Sequence, residues 1–242
     1  MRVVVTALLL FATFAATAAE RSYGVLSLVG DKLLIASAQM QTGSRLNRNR
    51  HSFLALNTDA LDRAALRAVR AALAKADAGA KVELLAGDEK LFAVANDALA
   101  ADAGASLVAS LKPALQGLGT THWLIVSKFR GETRAKVREG TIGTGQLEGL
   151  GFYLDVDRSI LNVDSGESTT GFVLPFAYLR FTLVDAATGQ VIAEEREMET
   201  STVAKQSATH PWEALTPEDK VAYLERLIQR SAADAVPRLV KR

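Results

Sequence analysis

The chain has 242 residues, 49% hydrophobic and 23% charged, globular values that exclude disordered and collagen-like classes. Its 28 Lys and Arg stand against 27 Asp and Glu, so no global field favours nucleic acid or a membrane surface, and electrostatic recognition needs a local patch. Cysteine is absent, which removes thiolate nucleophiles, cysteine–zinc sites and a lipid-modified amino-terminal cysteine.

Residues 1–19 read as a signal peptide. Arg2 gives a short positive start, residues 3–16 are almost wholly apolar, and Ala16-Thr17-Ala18 and Thr17-Ala18-Ala19 place small residues where a signal peptidase reads. Cleavage is expected after Ala18 or Ala19. The run is shorter than the ~20 residues a spanning helix needs, and no later stretch is expected to span a bilayer. The mature chain, residues 20–242, is expected to be one soluble α/β domain, periplasmic or else secreted, because neither a repeat nor a strong linker divides it.

Residues 23–29 and 33–40 suggest paired strands joined by a glycine-first turn at Gly30-Asp31. A polar loop over 43–50 leads to a third strand at 51–56. Thr58 or Asp59 is placed as the cap of a helix running to about residue 78. Its buried stripe is Leu66, Val69, Leu73 and Ala76, with Arg63, Arg67 and Arg70 on another face. A short strand follows at 81–85, then a turn at 86–88 and a helix over 89–101. A second helical segment over 106–118 is expected to bend or restart near Pro113, because proline lacks the donor the ladder needs.

Residues 122–129 read as a strand, 130–151 as glycine-rich and weakly periodic, 152–157 as another strand and 158–170 as a polar loop. The strongest β signal is a long hairpin over 171–203. Ala177, Leu179, Phe181 and Leu183 alternate with Tyr178, Arg180 and Thr182, so one buried face is expected. Asp185 and Gly189 suit its turn, and the charged return strand Glu194-Glu195-Arg196-Glu197 suits a solvated face or guarded edge. The final helix has Thr216 as N-cap, Pro217 in its first position, and Glu218 and Asp219 at the positive end of its dipole. Its apolar face is Val221, Leu224, Leu227, Ile228 and Ala232, and Pro237 is expected to mark its exit. The fold class is α/β (α+β): a mixed sheet with a long C-terminal hairpin and helices packed on it.

The order helix, short strand, helical segments, strand 121–127, hairpin 178–192 and closing helix resembles the periplasmic α/β domain of the TolB amino-terminal and curli-secretion-channel families. Val184-Asp185 and Thr188-Gly189-Gln190-Val191 match the hairpin pattern of those domains. The resemblance covers about residues 58–203 and implies an envelope accessory or assembly role with no catalytic residues to carry over. The chain departs from the curli pattern: it has no anchoring cysteine and no obvious pair of membrane-spanning hairpins.

His51, His122 and His210 lie far apart and show no paired helical spacing, so surface or strand-end roles are expected rather than a shared metal. There is no Gly-x-Ser-x-Gly elbow. The glycines at 140–145 and 149–151 lack the strand-before, helix-after context of a phosphate cradle, and a flexible loop near a sheet edge is expected there. The spacing of Asp155, Asp157, Asn162, Asp164 and Glu167 does not fit a calcium loop. Residues 171–178 are expected as a buried strand rather than a docking surface.

The remaining local feature is basic. Arg45, Arg48 and Arg50, beside His51, form a patch that Arg63, Arg67 and Arg70 extend if the helix packs nearby; arginine forks suit phosphate or carboxylate groups. These features predict an exported envelope accessory protein that binds an envelope protein or an anionic envelope component, without catalysis, cofactor, metal or nucleic acid. Two alternatives stand beside it: a periplasmic hydrolase whose site is assembled from dispersed residues such as His122 with acidic groups, and a small-ligand binding module.

Overall fold

A computed structural model of the chain describes residues 21–39, 49–101, 104–137, 140–161, 168–204 and 210–241. In chain order they form β1 (Ser22–Ser27), β2 (Lys32–Ala38), β3 (Asn49–Ala55), α1 (Ala60–Ala76), β4 (Lys81–Ala86), α2 (Glu89–Ala100) and α3 (Gly104–Leu115). Then come β5 (His122–Lys128), β6 (Arg130–Glu132), β7 (Ala135–Val137), β8 (Gly140–Ile142), β9 (Gln146–Leu161), β10 (Ser168–Asp185), β11 (Val191–Thr200), a 3-10 turn (Pro211–Ala214) and α4 (Pro217–Val240).

β10 is long enough to serve two neighbours in succession. Its residues 168–178 pair antiparallel with β9 and its residues 179–185 pair antiparallel with β5. β11 runs along residues 176–184 and overlaps both partners, so β9 and β5 follow one another on one side of β10 with β11 on the other. From this spine the sheet divides. One half runs β10-β5-β1-β4, with β1 parallel to both neighbours, and the other runs β10-β9-β2-β3. Residues 28–31 carry the chain from one half to the other.

The expected β1–β2 hairpin is therefore corrected: the two strands do not pair. The reason is burial on both faces. Tyr23 and Val25 face the core under α1 and α4, while Leu26 faces the core under α2 and α3. A strand apolar on both faces belongs inside a sheet between parallel neighbours. The same correction applies to β10. Ala177, Leu179, Phe181 and Leu183 do line one core, but Tyr178, Arg180 and Thr182 are buried on the other face. β5 follows suit, with Leu124 and Val126 on one face and Trp123 and Ile125 on the other.

One sheet face is covered by α1, α4 and the 3-10 turn, with the edge strand β3 left largely exposed. The opposite face is covered in two parts: α2 and α3 over the β1-β5 half, and Phe129 and Leu147 with the aromatic side chains of β9 and β10 over the other. There Tyr178 donates its hydroxyl to the Glu132 carbonyl at 2.7 Å. Burial pushes that hydroxyl's pKa up to about 12.

Several sequence expectations hold. The β10–β11 hairpin forms, its turn closed by the Asp185 carboxylate accepting from the Thr188 N–H at 2.7 Å and hydroxyl at 2.8 Å, with Gly189 at φ 73°. Asp88 caps α2 by accepting from the Leu91 N–H at 2.9 Å. Thr216 and Asp219 form a reciprocal capping box on α4. Both interior prolines are milder than expected. Pro113 lies within α3 and Pro237 within α4, each a few residues from the end. The carbonyls they leave unpaired, four residues back, belong to exposed Ala109 and Ala233, so neither helix breaks. Val221 and Ala76 are exposed rather than on the buried faces. Residues 140–142 form a small hairpin with 135–137 instead of a loop, and β9 runs to Leu161, past the expected strand end.

Candidate functional site

The candidate surface is the outer face of α1. This alanine-rich helix has its apolar residues Leu61, Leu66, Val69 and Leu73 buried against the sheet and α4. The 3.6-residue repeat then places Arg63, Arg67 and Arg70 in one exposed row, with Lys75 in the last turn. The helix's single acidic residue, Asp62, is buried, so no carboxylate of α1 shares that row. Arg63 pairs with Asp59 just before the helix, and Arg67 lies 3.6 Å from Glu225 of α4. Arg70 and Lys75 have no carboxylate partner among the described residues. Exposed pairs of this kind contribute about 0–1 kcal/mol, so the two engaged arginines can exchange partners at little cost.

Of the other predicted arginines, Arg50 is exposed on the edge strand β3, opposite Ser37 of β2. Arg45 and Arg48 lie outside the described residues. β3 also carries exposed Phe53 and Leu54, with Lys32 Nζ 4.9 Å above the Phe53 ring. The opposite edge, β11, is guarded by charge: Arg238 of α4 pairs with Glu195 at 3.1 Å and with Glu197.

A second charged feature, missed at the sequence level, is buried. At the carboxyl ends of β1 and β5 the chain crosses between the two half-sheets, and polar groups tie the crossing down. The Asp62 carboxylate accepts the Ser27 hydroxyl at 2.6 Å and the Val29 N–H at 3.1 Å, and also the Gly30 N–H. Lys128, 8% exposed, reaches from the end of β5 to pair with Asp31, which also accepts the Asn96 amide at 2.8 Å. Gly30 is glycine because of close approach: a Cβ there would lie 2.1 Å from Asp62 Oδ2. Gly149, at φ 64°, leaves room for the Lys128 stem, which a Cβ would meet at 2.5 Å.

Burial pushes the Asp62 carboxyl above the ordinary range, against the pull of its hydrogen bonds to Ser27, Val29 and Gly30. Burial acts the same way on Asp31, but Lys128, Asn96 and Lys32 together outweigh it and hold that carboxyl low. Burial also lowers Lys128, with Asp31 opposing. A crevice of about 550 Å³ opens above this network, lined by Asp31, Asp59, Asp62, Glu89, Asn96 and Phe92 among others. It lies at strand carboxyl ends, where ligands of α/β sheets commonly bind. The deepest carboxylates, however, are already spent on the fold's own donors.

The histidines do not converge. His51 is on β3, His210 accepts from the Trp212 N–H at 3.2 Å in the 3-10 turn, and His122 begins β5. His122 lies in a hollow of about 380 Å³ with Thr121 and Asp185, the grouping nearest to a dispersed hydrolase site. Its Nδ1 is 2.9 Å from the Thr121 hydroxyl, which donates to the Ser22 carbonyl at 2.9 Å. The Asp185 carboxylate is held by Thr188. Neither the hydroxyl nor the carboxylate is therefore poised to act. Burial, then the Arg21 charge, lowers the His122 imidazole, with Asp185 and Asp77 opposing. Among the described residues, one acidic group, Glu197, Glu199 and Asp234, has metal-like spacing, but Arg230 and Arg238 neutralise two of its members. Asp155 accepts from the N–H groups of Asp157 and Arg158; Asn162, Asp164 and Glu167 lie outside the described residues.

No protein-family model matches the chain, and no curated protein matches its sequence. Solved structures overlay weakly. A Xanthomonas campestris protein of the DUF330 family gives a TM-score of 0.38 at 10% identity, over 91% of this chain and 84% of that one. The PelC dodecamer from Paraburkholderia phytofirmans gives 0.34 at 13% identity, over 88% and 86%. A neuraminyllactose-binding hemagglutinin homolog from Helicobacter pylori gives 0.35 at 8%, over 92% and 87%. All three are bacterial, and none is described as a TolB or curli-channel domain. Likeness at this level assigns no family and carries no functional argument. No helix among the described residues is long and apolar enough to cross a membrane.

Proposed function

We propose that the chain is exported, that its leader is cleaved after Ala18 or Ala19, and that residues 20–242 act in the bacterial periplasm as a non-catalytic accessory or assembly protein. In this reading it binds an envelope protein or an anionic envelope component through Arg63, Arg67 and Arg70, joined by Arg45, Arg48 and Arg50. The observation that carries it is the α1 row: exposed guanidiniums at helical spacing, no α1 carboxylate among them, and cations at Arg70 and Lys75 without a described partner. Guanidinium forks match carboxylate and phosphate oxygens. Kinship with TolB amino-terminal and curli-channel domains belongs to the same reading and rests on the element order and on the Val184-Asp185 and Thr188-Gly189-Gln190-Val191 hairpin. The reading invokes no cofactor.

The test uses the mature chain as bait in envelope extract, beside Arg63/Arg67/Arg70→Ala and Arg45/Arg48/Arg50→Ala. The wild type is expected to recover a partner that the α1 variant loses and the loop variant recovers less well. Equal recovery by all three baits would overturn the assignment. An intact leader on protein confined to the cytosol would overturn export.

A further inference from the structure

One hollow leaves several of its polar side chains without a described partner. It lies between α4 and the residues leaving β11, has a volume of about 390 Å³, and is lined by Ser201, Tyr223, Arg226, Leu227, Gln229 and Arg230. Tyr223, Arg226, Leu227 and Arg230 recur at i, i+3, i+4 and i+7, so helix geometry alone puts them on one side of α4. Buried Leu227 forms the apolar floor.

The Arg226 guanidinium sits 4.2 Å over the Tyr223 ring, a stacking that holds its fork in place. It has no carboxylate partner among the described residues. Arg230 divides its donors between Glu199, at 3.1 Å, and the Thr200 carbonyl, at 3.4 Å, which fixes it at the rim. The Ser201 backbone N–H donates to the Pro175 carbonyl at 3.1 Å, anchoring that residue to β10. Its hydroxyl and the Gln229 amide make no hydrogen bond to a described residue. The crevice above Asp62 is the opposite case, since its deepest carboxylates are held by neighbouring side chains and backbone N–H groups.

We infer that the α4 hollow is a binding site for a phosphate group, free or carried as an ester on a small molecule. Two guanidiniums, a hydroxyl and a primary amide are all donors, and they approach from α4 and from the chain after β11. A tetrahedral oxyanion accepts from several directions at once, as that set requires, and charge-assisted bonds of this kind are the strong ones. The volume lies near the lower end of the roughly 300–1,000 Å³ range of small-molecule pockets, which suits a compact ligand rather than an extended chain. Glu199 opposes an anion, and its pairing with Arg230 cancels much of that field. The inference goes beyond the α1 reading, uses none of its residues, and holds in any compartment.

The test is titration of the mature chain with inorganic phosphate and, separately, glycerol phosphate, at constant ionic strength, followed by amide NMR shifts and calorimetry. We expect saturable one-to-one binding that moves the Ser201, Tyr223, Arg226, Gln229 and Arg230 amides. Arg226→Gln should weaken binding at least tenfold. Tyr223→Phe, which keeps the ring, should bind like wild type, and Tyr223→Leu should bind several-fold more weakly. Arg63/Arg67/Arg70→Ala should bind like wild type, so failure here is separable from failure of the α1 reading. Tighter glycerol phosphate binding assigns an ester as the source, tighter inorganic phosphate binding assigns the free ion, and either outcome supports the site. Absence of saturation by both probes would overturn it. So would wild-type affinity in a folded Arg226→Gln protein, or tighter binding of acetate than of either phosphate.

Discussion

The molecule uses charge in two contrasting ways. At the crossing between the half-sheets, Lys128 and Asp62 are buried and Asp31 is half-buried, and the described contacts of each are with groups of the fold itself. On α1, Arg63, Arg67 and Arg70 face solvent with loose pairs or none. Buried charge without partners is costly, so its presence says that the local structure supplies them. Exposed charge contributes little to stability, so a one-signed row on a helix is free to serve recognition. The difference teaches that the richest concentration of ionisable side chains need not be the site of function.

Substitutions can break that contrast. The largest effect is expected for Lys128→Ala, which strands Asp31 and empties the space beside Gly149. A loss of about 3–5 kcal/mol in urea unfolding is predicted, and Lys128→Met with Asp31→Leu should restore most of it. Gly30→Ala should cost about 1–3 kcal/mol, because the new methyl collides with the Asp62 carboxylate.

Acidity sharpens the contrast further. The folded Asp62 pKa is raised, so its ionised form opposes folding. As pH falls from neutral through that pKa towards the ordinary carboxylate range, Asp62 contributes a gain in stability, and Asp62→Asn should lack it. The folded Asp31 pKa is lowered, so its contribution is present above the ordinary carboxylate range and is lost as pH falls through the folded value. Stability measured against pH in the two proteins should separate these opposite phases. Thr216→Ala, which removes the α4 cap, should cost about 1 kcal/mol and lower the melting temperature without touching either region. The smallest stability change is expected for Arg63, Arg67 and Arg70, within about 0.5 kcal/mol each.

What was legible in the sequence was local. The Asp185–Gly189 turn, the Thr216 cap and the 3.6-residue stripe of α1 each depend on neighbours a few residues away, and all three formed, the stripe as far as Leu73. Long-range pairing was not legible. Gly30-Asp31 has the composition of a hairpin turn, yet β1 takes β4 and β5 as partners because both its faces are buried, and alternation cannot distinguish such a strand from half of a hairpin. Asp62 falls on the helical stripe of Leu66, Val69 and Leu73, where a carboxylate is easily passed over, and its partner Ser27 is 35 residues away. Lys128 likewise reads as the polar end of a strand, and only the fold brings Asp31 to it. The arginine row was readable because helical spacing alone produces it. The α4 hollow needed the end of β11, and no period in the chain announces that approach.

The most direct test of the central claim is binding of the mature chain to envelope extract as ionic strength is raised, compared between wild type and Arg63/Arg67/Arg70→Ala. If the α1 face carries recognition, wild-type retention starts high and falls steeply as salt screens the exposed charges, while the variant, equally stable, starts low and changes little. Superimposable curves for the two proteins would contradict the account.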